Sequence, residues 1–182
     1  MLRQIDYLIG VVWIMKLADL LSSRKKDYFY IMHLSYNGGE RERLWNYARE
    51  HNLIGLDLPD DVTDDWIKVR EKVKGSIPNI WVRQFDIFCN EMAVGDIVLI
   101  LSGWDSLLGI AEITERNHRY DISLSGKEFT GFFDHIRRVR WIREYEYTNR
   151  LPLSQPIEGF NNTLSKVKSS SRRWSYLTGL VI

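Results

Sequence analysis

An α+β domain is predicted, built on a small curled or barrel-like, mostly antiparallel β-sheet flanked by helices. Three observations predict it. Helix-length and strand-length apolar segments alternate through the first half of the chain, and consecutive short strands follow in the second. Those strands run about 6–8 residues between tight turns, which favours a small barrel over an open parallel sheet. The chain has 182 residues, 45% apolar and 27% charged, which suits one domain with an appended helix or tail.

The elements follow in order. Residues 4–21 read as an amphipathic or buried helix that exits through Ser22-Ser23-Arg24-Lys25-Lys26. Its apolar part, 7–21, contains Lys16 and Asp19 and is too short to cross a bilayer. Only Arg3 precedes it as a basic flank and no small-residue cleavage site follows, so a packing or interface helix is expected. Tyr28 to Leu34 is an aromatic, apolar run of strand length, closed by Asn37-Gly38-Gly39. Glu40 to Asn52 reads as a helix with Leu44, Tyr47, Ala48 and His51 on one face.

Leu53 to Pro59 is a short strand that breaks into an acidic loop. Five of the nine residues from Asp57 to Asp65 are Asp. Thr63 or Asp64 is the expected cap of a helix over Asp65 to Lys74. After a break at Gly75 to Asn79, Ile80 to Met92 reads as a helix carrying Trp81, Phe85 and Phe88. Three strands come next, Gly95-Asp96 to Leu101, Leu107 to Ile113 and His135 to Ile142, the last two joined by a polar connection over Asn117 to Thr130. A Tyr-rich piece, Pro152, Pro156 and a basic, Ser-rich segment complete the chain. The expected organisation is an N-terminal helix (1–26), a central domain (27–145) and a basic C-terminal extension or linker (146–182).

Net charge is only +1, but it is unevenly placed. From Asp134 to Ile182 nine Lys/Arg face four Asp/Glu, a local +5 that leaves −4 on residues 1–133. A basic C-terminal third is compatible with nucleic acid. The single cysteine, Cys89, excludes an internal disulfide framework and any Cys-based zinc site. His33, His51, His118 and His135 show no short metal-ligand spacing, so no metal and no cofactor is expected.

Motifs for phosphate cradling and for a serine nucleophile are absent. Asp96, Asp105 and Glu112 could serve a metal-dependent nuclease, but no Lys follows two residues after Glu112. Asp96 is therefore read as a turn residue and Glu112 as an outward strand residue, and no catalytic residue is assigned. The acidic loop does not match an EF-hand and is read as solvated. Asp57 in it could still accept a hydrogen bond from the exocyclic amine of a base.

Aromatic residues are abundant: seven Trp, nine Tyr and seven Phe. Trp13, Trp66, Trp141 and Phe88 are assigned to packing. Trp104 lies in a turn between strands and Tyr120 in a polar loop, while Trp81 and Phe129 sit near breaks. These four either cap the ends of the barrel or form a cage that stacks a flipped base. Along the last strand Arg137 is expected to face the core with Val139 and Trp141, leaving Arg138 and Arg140 outward. With Lys166, Lys168, Arg172 and Arg173 they form either a phosphate-tracking surface or a solubilising one.

Residues 27–145 resemble the EVE and YTH domains of the PUA superfamily. The resemblance rests on Gly95-Asp96-Ile97-Val98, on Gly109-Ile110-Ala111-Glu112-Ile113, and on the alternation His135, Arg137, Val139, Trp141. Together they look most like the version that precedes McrB-type restriction GTPases. The resemblance implies a methylated base, N6-methyladenine as the first expectation, extruded from double-stranded DNA into an aromatic cage. It implies that Ser35, Tyr36 and Asn37 read the base edge, beside Asp57. Tyr120 is the implied second wall and Phe129 a third, with Trp81 and Trp104 nearby. These families often place a Trp where this chain has Leu56, a departure that weakens one wall. The implied setting is a cytoplasmic DNA-restriction assembly whose GTPase and nuclease chemistry resides on other domains or subunits, with no membrane. A PUA-type module reading methylated RNA, and a protein-interaction domain whose aromatics are all core, are the alternatives.

Overall fold

Strand β1 (Tyr28–Leu34) is buried on both faces. Tyr30, Met32 and Leu34 enter one apolar core, and Phe29 and Ile31 enter a second. A strand that reads as a continuous apolar run belongs in a sheet covered on both sides. The computed structural model describes residues 16–34, 38–56, 64–121, 133–157 and 162–180. It shows an α+β architecture, with a curled half-barrel sheet flanked by helices.

The sheet is built from β1, β2 (Leu53–Leu56), β3 (Ile97–Ser102), β4 (Ser106–Ile113), β6 (His135–Glu144) and β8 (Leu164–Lys168), in the order β2-β6-β4-β3-β1-β8. Two short strands join at its margins: β5 (Arg119–Tyr120) pairs with β6, and β7 (Leu151–Pro152) pairs with β4. The pairing is mostly antiparallel, as expected, but the sheet is mixed because β1 and β3 run parallel. The reason is the long helical crossover between them, which brings the chain back to the end where β1 began.

The first core lies under α2 (Gly38–His51), α3 (Trp66–Val73), α4 (Asn79–Asp86) and a π-helical turn, Ile87–Glu91. The second lies under α1 (Leu17–Ser23), α5 (Trp174–Thr178) and the segment around Leu153 and Ile157. The C-terminal segment is thus built into the domain: β8 is hydrogen bonded to β1 over five registered pairs. Of the helix expected over 4–21, the described part is Leu17–Ser23, and Trp13 lies outside the described residues.

Several local expectations change. On α2 the buried face is Leu44, Trp45 and Ala48, while His51 is exposed. Trp45 is drawn inward because its indole N–H donates to the Tyr145 carbonyl at 2.8 Å and its ring meets Trp141 edge-on at 5.0 Å. Gly109 makes room for it, since a Cβ there would lie 2.7 Å from the Trp45 ring. The cap of α3 is Asp65, whose carboxylate accepts from the Ile67 N–H, in place of Thr63 or Asp64. The helix expected over Ile80 to Met92 changes register after Asp86, where the Met92 N–H reaches back five residues to Ile87. Among the described residues no helix is long and apolar enough to cross a membrane.

Candidate functional site

Strand β6 starts with a buried polar side chain, and the neighbouring strands frame it. His135 is fully buried, with Leu56 of β2 as its cross-strand partner on one side and Tyr120 of β5 on the other. Its Nε2 accepts the Trp66 backbone N–H at 2.8 Å, so Nδ1 carries the proton and donates to Asp134 Oδ1 at 2.5 Å. Four rings surround the imidazole or continue from it. Tyr120 lies 5.1 Å away and Phe85 meets it edge-on at 5.1 Å. His118 stacks at 5.6 Å, and Trp81 extends the series through Phe85 at 6.5 Å.

His118 donates through Nε2 to Asp65 Oδ1 at 2.9 Å. Burial pulls the pKa of His118 below its ordinary value, more strongly than the Asp65 carboxylate raises it. Asp65 is pushed up by its own burial, but His118 and the Ile67 N–H outweigh this and hold it below the usual carboxylate range.

Arg137 forms the floor of this region. It is almost wholly buried and, among the described residues, donates to main-chain oxygens: Phe88 (2.5 Å), Cys89 (3.2 Å), Glu115 (3.3 Å) and Arg116 (3.1 Å). The π-helical turn leaves the Phe88 and Cys89 carbonyls without continuing helix partners, and the guanidinium satisfies them. Its pKa is lowered by burial. The turn also brings Cys89 next to the imidazoles. Cys89 Sγ and one ring nitrogen each of His118 and His135 lie within 4.8 Å of one another. A Cys-containing donor set, excluded in the sequence because only one cysteine is present, is therefore assembled by the fold from three separate segments.

The expected base-pocket residues are only partly gathered. Leu56 and Tyr120 flank His135, and half-buried Trp81 joins through Phe85. Trp104 does not join them. It sits in the turn between β3 and β4 at the opposite end of that hairpin, 4.6 Å from the His33 ring and 40% exposed. Ser35, Tyr36, Asn37, Asp57 and Phe129 lie outside the described residues. Unforeseen in sequence were Asp65, Cys89, His118, Asp134 and the buried role of His135. Their separation along the chain conceals their proximity, although a histidine opening an otherwise arginine-rich strand was a visible hint.

The basic residues fall into two groups. Arg138 donates to the His51 carbonyl, and Arg140 reaches Glu112 at 2.5 Å, a carboxylate that also holds Arg24 at 2.8 Å. Lys166 lies over the Tyr28 ring at 4.0 Å, and Lys168 and Arg172 are exposed while Arg173 is half-buried. Strands β6 and β8 are separated by β4, β3 and β1. Four strand spacings amount to about 19 Å along the sheet, so these residues do not form one continuous stripe. Beside Arg140, a groove of about 420 Å³ is lined by Asn52, Trp141, Ile142, Arg143 and Glu144.

The nuclease carboxylates are dispersed in the same way. Asp96 is buried, paired with Lys26 at 2.6 Å and hydrogen bonded to Tyr28 and the Ala93 N–H. Asp105 binds Ser106 at the far end of the hairpin.

A protein-family model, described as a domain of unknown function (DUF8426), matches residues 30–167, which run from within β1 to within β8. No curated protein and no solved structure matches the chain. The matched span covers most of the sequence and nearly the whole sheet, and the chain belongs to the DUF8426 family.

Proposed function

We propose that this domain binds nucleic acid and reads a single methylated base, N6-methyladenine first, flipped out of double-stranded DNA. In this reading the fold is a PUA-type relative of EVE and YTH domains. The domain serves in the cytoplasm as the specificity part of a restriction assembly whose catalysis resides elsewhere.

The observation that carries the reading is Tyr120. Its ring packs on His135 beside Leu56, while its hydroxyl is buried and has no hydrogen-bond partner among the described residues. Leaving such a group unsatisfied costs about 1–3 kcal/mol, and the polar edge of an incoming base would relieve it. Flipping costs a few kcal/mol. Stacking of about 1–3 kcal/mol per aromatic contact offsets it, and burying the methyl group adds about 0.8 kcal/mol. In this scheme Arg138, Arg140 and Arg143 supply phosphate contacts on one side of the sheet, and Lys168 and Arg172 supply them on the other.

The test is fluorescence anisotropy at fixed salt with one duplex in three forms: unmodified, N6-methyladenine and 5-methylcytosine. Preference for one methylated duplex supports a base reader and names its base. Equal affinity for all three would overturn the reading.

A further inference from the structure

We propose that Cys89, His118 and His135 bind one transition-metal ion, Zn²⁺ first among them. Cys89 Sγ and one ring nitrogen of each histidine lie within 4.8 Å of one another. Tetrahedral zinc with Zn–S near 2.3 Å and Zn–N near 2.0–2.1 Å needs donors about 3.4–3.6 Å apart, a closure of about 1 Å. One thiolate with two imidazoles is a donor set that favours zinc over magnesium or calcium.

The surroundings are those of a ligand shell. Each imidazole is oriented by a carboxylate on its other nitrogen: Asp65 on Nε2 of His118, and Asp134 on Nδ1 of His135. Carboxylates in this position fix the tautomer and make a metal-bound imidazole more basic. They leave Nδ1 of His118 and Nε2 of His135 for the ion. The site is enclosed, with Cys89 and His135 buried and the His118 side chain 6% exposed.

One bond must be exchanged. His135 Nε2 now accepts the Trp66 N–H, the first amide of α3, and the ion takes that lone pair. Helix-start amides lack intrahelical partners and can turn to other acceptors, so binding couples the ion to the start of α3. Three protein ligands leave the fourth tetrahedral position to a non-protein ligand. The proposal is independent of base reading, and its test contains no nucleic acid.

The experiment is a Co²⁺ titration of the whole, chelator-treated chain, followed by displacement with Zn²⁺. The wild type is expected to show a sulfur-to-cobalt charge-transfer band that saturates at one equivalent and is bleached by one equivalent of Zn²⁺. Cys89→Ser should lose the band and His118→Ala should bind far more weakly. Asp65→Asn should bind about 10–100-fold more weakly. Absence of the band in the wild type, or equal Co²⁺ uptake by the wild type and His118→Ala, would overturn the proposal even if Cys89→Ser failed to fold.

Discussion

Asp134 and His135 are neighbours in the chain whose side chains also bond to each other, at 2.5 Å, in an almost fully buried setting. The carboxylate fixes which ring nitrogen of His135 carries the proton, and the Trp66 N–H occupies the other. Strand β6, helix α3 and the site are thereby tied to one imidazole.

Removing this carboxylate should be costly. Asp134→Ala leaves the Nδ1–H of His135 buried without an acceptor, a loss of about 1–3 kcal/mol. Urea unfolding should show a lower midpoint with an unchanged slope. An unchanged midpoint would mean that the pair contributes nothing to the fold.

Arg137→Met should be more damaging. The substitution keeps some apolar bulk but strands main-chain oxygens of the π-helical turn and of the segment after β4. A loss of about 3 kcal/mol or more is expected, since each orphaned buried acceptor carries its own desolvation penalty. A loss below about 1 kcal/mol would show that the carbonyls find other partners.

Two glycines should respond in opposite directions. A Cβ on Gly55 would run into the Phe133 side chain, whereas one on Gly75 meets nothing within 4 Å. Gly55→Ala should destabilise by about 1–3 kcal/mol through overpacking. Gly75→Ala should stabilise by about 0.4–1 kcal/mol by restricting the unfolded chain. Thermal melts of both variants against the wild type decide this, and equal shifts would contradict the packing of β2 on Phe133.

Acid should weaken the fold in two stages. His33 has its pKa lowered by burial, which outweighs the bond its Nδ1–H donates to the Gly103 carbonyl. The unfolded chain therefore binds a proton more readily than the folded one, and stability falls as pH drops below about 6.5. Asp86 is held low chiefly by Arg70, so its contribution is present above about pH 4 and is lost as pH falls further. Urea midpoints across this range should decline, and His33→Gln should make the first stage shallower, leaving the share of His118, whose pKa burial also lowers. A wild-type midpoint that stays level from neutrality to about pH 5 would refute the assignment to His33.

The proposed base reader makes a contrast between two variants. Tyr120→Ala should abolish methyl preference, because Tyr120, packed on His135, is the proposed wall of the base pocket. Arg172→Ala should weaken every duplex by the same factor, because the exposed Arg172 could only meet phosphate. Anisotropy on methylated and plain duplexes separates these outcomes. Proportional losses in both variants would argue against a pocket at Tyr120.

By itself the sequence determined the fold class, the strands around Tyr28–Leu34 and Gly95–Ile142, and the outward arginines. Period, turn residues and burial pattern are local properties, legible within a few residues. Only the tertiary structure decided that β1 runs parallel to β3, that β8 completes the sheet, and that Trp104 stands apart from Tyr120. It also decided that Cys89, His118 and His135 meet. Those relations depend on strand register and on where a long crossover returns. Both are set by burying two apolar faces at once, a condition that no short stretch of sequence contains.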